Sequence, residues 1–185
     1  MKRHRNWYLP AVLIVAGLLY AGAFLHGIMV PEVRQLPDSY EYLTAARNLA
    51  EHGTLYAGGM RNDIDYSLYT RRPPGYPFLL CLLSRIHPST SVPVIFQFLL
   101  SFAGGLLLWK LMGSMGVPPV LKTAGLALYL LYPSQIIYSQ MIMAEIPLQF
   151  LLLASAWFLH LHLKAGRPVF IILCDLCLAG AVLCK

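Results

Sequence analysis

Uncharged apolar blocks, rather than amphipathic repeats, organise most of this chain. Residues 8–30, 91–109, 123–138 and 146–163 carry no acidic, lysine or arginine side chain, and residues 168–184 carry only Asp175. A transmembrane helix needs about 20 predominantly apolar residues, with a lower limit of about 17. The pattern predicts five spans, several near that limit. Between the first two lies a more polar segment, residues 31–90. Inside it, residues 76–86 form a further apolar stretch. As a helix this stretch would reach roughly 16 Å, about half the hydrocarbon core, so it reads as an interfacial or re-entrant helix. No internal repeat or low-complexity tract is visible.

The polar segment has an amphipathic part. Asp38 follows Pro37 and can act as a helix N-cap, with Glu41 in capping-box position. Tyr42, Leu43, Ala46, Leu49 and Ala50 then share one face, Glu41, Arg47, Asn48 and Glu51 lie mostly on the other, and Gly53 ends the helix. A short amphipathic helix beside a span lies flat in the interface. Gly58-Gly59 and Asn62-Asp63 mark turns.

Charge sets the orientation. If 76–86 does not cross, Lys110, Lys122, Lys164 and Arg167 fall on the same side as Lys2-Arg3-His4-Arg5. The positive-inside rule makes that side cytoplasmic, so residues 31–90 and Glu145 face outside. The first block resembles a signal peptide, but its apolar run exceeds the usual h-region of about 7–15 residues. It reads as an uncleaved anchor.

Composition narrows the function classes. Of 185 residues, 58% are hydrophobic and 12% charged, against about 25% charged in soluble domains. The net charge of +6 comes from basic residues gathered at loop ends. No basic and aromatic residues alternate along a polar face, so no nucleic-acid partner is expected. Cys174 and Cys177 form a C-x-x-C spacing, but no βαβ pattern or second ligand pair accompanies it, so both read as small apolar residues of a helix.

Candidate chemistry is confined to a few positions. Asp38 is either a cap or a general base for a hydroxyl. Arg71 and Arg72 contact lipid headgroups or clamp a phosphate, because guanidinium forks match phosphate oxygens. Pro73, Pro74 and Pro77 stiffen the following backbone and discourage an ordinary helix start. Glu145 lies between two apolar segments, where a carboxylate is a functional candidate. The alternative is an acid favoured by a helix N-terminus. Asp175 sits within the last span, where an acid costs about 2.5–3.5 kcal/mol on insertion scales. His160 and His162 lie two apart on a helix and make a poor metal pair.

The order Asp38-Ser39-Tyr40, Tyr42-x-x-x-Ala46, Arg72-Pro73-Pro74-Gly75-Tyr76-Pro77 and Ser139–Pro147 resembles the N-terminal part of the GT-C membrane glycosyltransferases. The likeness is to the group containing dolichyl-phosphate-mannose protein mannosyltransferases, lipid A aminoarabinose transferases and related lipopolysaccharide-core transferases. The resemblance implies a GT-C-like all-α module. It implies transfer of a sugar from a polyprenyl- or dolichyl-phosphate donor to a lipid, glycan or protein acceptor on the outer membrane face, usually with inversion. By the same resemblance Asp38 is catalytic, Glu145 supports the site, and Arg72, with Arg71 beside it, contacts the donor phosphate. Many relatives carry Asp-Glu where this chain has Asp38-Ser39, so the likeness assigns no second carboxylate there. It implies no certain cofactor, although a divalent metal is compatible, and it suggests a bacterial inner-membrane location in the cell envelope. Residues 1–185 are expected to form a single membrane module, a fragment of a larger protein. The rival readings are a transporter or flippase fragment, which would use Glu145 and Asp175 as membrane charges, and a non-catalytic membrane subunit.

The orientation is testable. An impermeant thiol reagent on intact cells should label a cysteine introduced at Met60 and not one at Pro118. The reverse pattern would invert the topology.

Overall fold

The computed structural model describes residues 8–60, 63–69 and 71–184. The basic tetrad of residues 2–5, Asn62 of the expected Asn62-Asp63 turn and Lys185 lie outside them. Among the described residues the architecture is all-helical. It comprises α1 (Tyr8–Met29), α2 (Pro37–His52), α3 (Gly75–Ser84), α4 (Ser91–Ser114), α5 (Pro119–Leu131), α6 (Pro133–Gln140), α7 (Glu145–Ala165) and α8 (Pro168–Cys184), with 3₁₀ turns at Pro31–Arg34 and Tyr66–Tyr69.

Three helices, α1, α4 and α7, are long and apolar enough to cross a membrane. The α5–α6 pair makes a fourth such segment, bent by 44°. The bend follows from Pro133, which has no N–H to donate and disfavours helical backbone before it. Tyr132 is accordingly extended, with ψ 125°. Helix α8 has 17 residues. Large apolar side chains such as Ile14, Leu18, Leu99, Leu128, Leu152 and Ile172 face outward, as an integral membrane protein requires. Helix α3 is a separate short helix of 10 residues, in keeping with a segment that does not span.

The helices alternate in direction. The Arg34 guanidinium donates to Ser91 Oγ at the start of α4 (3.0 Å) and to the Phe24 carbonyl near the end of α1 (3.2 Å). Its own carbonyl accepts from the N–H of Ile142, beyond α6 (3.0 Å). Tyr42, Tyr76, Ile142, Ala144 and Cys184 share one buried cluster. Asp38, Glu145 and the end of α8 therefore lie at one end of the bundle. The α4–α5 and α7–α8 connections, with Lys110, Lys122, Lys164 and Arg167, lie at the other. There Lys122 Nζ sits 4.1 Å from the centre of the Trp109 ring.

Between the ends, Ala16, Leu126 and Leu130 form a second core cluster, flanked by Val12, Phe102, Trp109 and Tyr129. Tyr20 packs against both Phe98 and Phe102 at 5.2 Å between ring centres. Cys174 and Cys177 are free thiols within α8, the first buried and the second half-buried.

Three local expectations are corrected. Asp38 is not the cap of α2. Proline suits the first helical position, where its missing N–H costs nothing, so Pro37 starts the helix and Leu36 becomes the cap residue. Ser39 Oγ, not Glu41, accepts the Leu36 N–H at 3.0 Å. Asp38 and Glu41 are both left for other partners. Asn48, placed on the polar face, is buried, and its amide donates to the carbonyls of Tyr56 (2.7 Å) and Gly58 (2.9 Å). The proline run does not prevent a helix start. Pro74 is the cap residue of α3 and Pro77 sits in its first turn, where no intrahelical N–H bond is lost. Gly53 does end α2, in the left-handed region at φ 66°.

One buried amide ties α3, α4 and the α6–α7 connection together. Gln97 Oε1 accepts the Tyr76 hydroxyl (2.9 Å), and Gln97 Nε2 donates to the carbonyls of Ser139 (3.1 Å) and Met141 (2.8 Å). Gln97→Leu should destabilise the protein by on the order of 3 kcal/mol, because each buried group left unpaired costs about 1–3 kcal/mol. Tyr76→Phe removes only one of these bonds and should cost about 1 kcal/mol. Thermal or denaturant melts in detergent would check the order of the two.

Candidate functional site

The site lies where α2 meets the residues leading into α3. Starting α2 at Pro37 places Asp38 and Glu41 one turn apart on the same side of its first two turns. The Arg71-Arg72-Pro73-Pro74 strap lies across that side. Arg72 Nη2 contacts Asp38 Oδ1 at 2.5 Å, and Arg72 Nε donates to Glu41 Oε2 at 2.6 Å. Arg71 Nε pairs with Glu41 Oε1 at 3.2 Å. The side chains of Arg72 and Glu41 are each 17% exposed, against 46% for Asp38 and 57% for Arg71. Two shielded charges thus form the floor, and two accessible ones, of opposite sign, form the rim.

An aromatic pair carries this cluster into the core. The Arg72 guanidinium lies 5.0 Å from the centre of the Tyr42 ring. Tyr42 meets Tyr76 edge to face, at 5.0 Å and 89°. Tyr76 continues to Gln97 through the hydrogen bond described above.

Glu145 is the first residue of α7, where the helix dipole favours a carboxylate. It is half-buried and lines a cavity of about 220 Å³ with Tyr132, Ser134, Gln135, Tyr138 and Gln149. Its charge acts on both phenols. Burial raises the Tyr42 pKa, Arg72 opposes the shift, and the Glu145 and Asp38 carboxylates add to it. Burial pushes Tyr76 well above the usual phenol range, with further contributions from Tyr42 and Glu145. Burial works against the Arg72 charge, but the Asp38 and Glu41 hydrogen bonds outweigh it and hold its pKa above the ordinary guanidinium value.

All four residues singled out from sequence therefore occupy one end of the bundle. Asp38, Arg71 and Arg72 share a single ionic cluster, and Glu145 is coupled to it through Tyr42. Glu41 belongs to the cluster although sequence reasoning gave it only a capping role. Its spacing of three from Asp38 was the available signal, and Pro37 decided which role it took. Tyr42 and Tyr76 were read as an apolar-face residue and a motif letter, yet they link the two halves of the site. No group of three or more histidine, cysteine, aspartate or glutamate side chains with metal-binding geometry occurs among the described residues.

The arrangement can do two things. A guanidinium has five N–H donors; the contacts to Asp38 and Glu41 engage two of those on Arg72, and Tyr42 hydrogen-bonds to the same group, which leaves donors to spare. The exposed Arg71 adds a second fork at the rim. An anion can therefore approach the arginines without dismantling the Arg72 pairs. The accessible Asp38 carboxylate, oriented by Arg72, can accept a proton from a hydroxyl brought alongside.

Arg72→Gln should destabilise the protein by about 1–3 kcal/mol. It leaves the shielded Glu41 beside Asp38 with no guanidinium between them, a loss smaller than that of a fully buried pair. Asp38→Asn, at the half-exposed rim, should cost under about 1 kcal/mol. Melting curves of the two variants would contradict this geometry if Asp38→Asn proved the more damaging. Comparisons with protein families, with curated proteins and with solved structures found no match to this chain.

Proposed function

We propose that the chain forms the catalytic end of a GT-C-like membrane glycosyltransferase with five spans, α8 included. It would transfer a sugar from a polyprenyl- or dolichyl-phosphate donor to a lipid, glycan or protein hydroxyl. The observation that carries this reading is the Asp38–Arg72–Glu41–Arg71 cluster. It combines an accessible carboxylate with two arginines, at the end of a membrane bundle where a lipid-linked phosphate would lie. The resemblance of the motif order to GT-C enzymes supports it.

The chemistry follows from the charges. The donor is a phosphodiester with one negative charge. The acceptor oxygen attacks the anomeric carbon, and the bond from that carbon to the phosphate oxygen breaks. The hydroxyl proton passes to Asp38. The leaving lipid phosphate gains a second negative charge, which Arg71 and the remaining donors of Arg72 stabilise as it develops. Arg72 also holds Asp38 in place, so it serves both halves of the reaction. Glu145 sits behind Tyr42 and Tyr76, and the cavity beside it is a candidate position for part of the acceptor or sugar. A single displacement inverts the anomeric centre.

The mutual pairing of the two acids and two arginines favours one second reading. In it the cluster is a latch that docks α2 onto the strap before α3, in a membrane subunit without catalysis. Turnover separates the two. In native membranes supplied with a polyprenyl-phosphate sugar, Asp38→Asn should lower turnover by about 10²-fold or more while leaving thermal stability nearly intact. Arg72→Ala should weaken donor use as well as turnover. Normal turnover in Asp38→Asn would remove the catalytic assignment and leave the latch.

A further inference from the structure

Asp175 plays no part in the site above, and its position in the fold is unusual. Helix α8 has 17 residues, and Asp175 lies about 10 Å along it from Pro168 at the ordinary helical rise. If α8 spans, as proposed above, that depth is the middle of the hydrocarbon core. The side chain is exposed on the outside of the bundle. Ile172, Leu176, Ala179 and Leu183 are exposed with it and fall within the same stripe at helical spacing. The opposite stripe, with Cys174, Ala181 and Cys184, is buried. Among the described residues Asp175 makes no hydrogen bond or ion pair.

A carboxylate on a lipid-facing surface at mid-bilayer depth is expensive, and such residues pair within the membrane. Among the described residues the chain supplies no lysine or arginine at that depth. Lys110 lies near the end of α4, Lys122 in the first turn of α5, Lys164 near the end of α7, and Arg167 just before α8. His160 and His162 lie in the last two turns of α7. From its described residues a second copy of the chain would therefore bring no lysine or arginine to Asp175, only the imidazole of His160, about 7.5 Å from the end of α7 at the ordinary rise. The small side chain of Ala179, one turn further on, leaves room for close helix approach.

We infer that the outer stripe of α8 is a docking surface for a partner transmembrane helix that brings a lysine or arginine to mid-bilayer depth, where it pairs with Asp175. Charge complementarity determines the chemistry of that partner. Leu176, Ala179 and Leu183 supply the packing around the pair.

The probe is a synthetic leucine-alanine transmembrane peptide with a single lysine at its centre, compared with the same peptide carrying leucine there. Association with the full chain is read by energy transfer in neutral phospholipid vesicles. The lysine peptide should bind about tenfold more tightly than the leucine peptide. Asp175→Leu should abolish that preference, and Ala179→Trp should weaken binding of the lysine peptide. Leu18→Trp, on the outer side of α1, should change nothing. Asp175 is exposed, so Asp175→Leu should leave the melting temperature unchanged.

Depth is measured separately by quenching of Leu176→Trp, about 12 Å along α8 from Pro168 at the ordinary helical rise, in a chain whose native tryptophans are replaced by phenylalanine, with lipids brominated at different acyl positions. Deep lipids should quench it most. Shallow quenching would overturn the spanning of α8, and the docking surface with it. Deep quenching with equal binding of the two peptides would overturn the docking surface alone. Self-association of the chain that disappears in Asp175→Leu would overturn it in favour of pairing between copies.

Discussion

Arg72 is the constraint on which the polar end of this protein depends. It comes from the strap before α3, yet its contacts are with the first two turns of α2. Its guanidinium meets Asp38 and Glu41 at 2.5 and 2.6 Å and lies over the ring of Tyr42. A surface ion pair contributes little, but a bridge between two carboxylates that is largely shielded from water costs much more to break. The same contacts hold α2 against the strap before α3 and set the positions of Asp38 and Glu41. Arg72 in turn has a fixed support, because Tyr42 packs on Tyr76, and Tyr76 hydrogen-bonds to Gln97 in α4. Gln97 donates to the carbonyls beside the α6–α7 connection, which leads into Glu145. One connected path thus runs from the interfacial helix to the membrane bundle.

That path explains how a segment as polar as residues 31–90 is held on an apolar bundle. Its anchors are hydrogen-bonded polar groups as well as the apolar cluster around Tyr42, Tyr76 and Leu80. Arg34 is 3% exposed and joins the ends of α1 and α4 through its guanidinium, and its own carbonyl receives the Ile142 N–H. The carbonyl ends of α1 and α6 also place partial negative charge near its cation. Gly75 completes the assembly on the other side. A β-carbon there would lie 2.6 Å from the Leu183 carbonyl oxygen, so only glycine lets α3 approach α8 this closely.

Much of the bundle was legible in the sequence, because span length and apolar continuity are local properties. The α8 boundaries, the C-terminal glycine of α2, the short α3 and the position of Glu145 at a helix start all follow from such signals. What could not be read depended on partners distant in the chain. Asp38 had two local readings as cap or functional acid, and Pro37 together with Ser39 removed the first. Asn48 looked solvent-facing, but a loop eight to ten residues later folds over it. Gln97 stood as the one amide in an apolar run whose other polar side chains are serines. That was a signal in itself, although its three partners lie in α3, in the last turn of α6 and just beyond it. The α5–α6 bend was present in Pro133, but Thr123 to Tyr138 read as one uninterrupted apolar segment.

The central claim is that this end of the bundle holds a lipid-linked phosphate. Nitrogen NMR of the Arg72 Nε resonance in lipid nanodiscs, titrated with a polyprenyl phosphate, tests it most directly. The account predicts a saturable shift of that resonance, strongly reduced in Arg71→Ala and absent with the uncharged polyprenol. An Arg72 signal that does not move, or that moves equally with phosphate and alcohol, would contradict it.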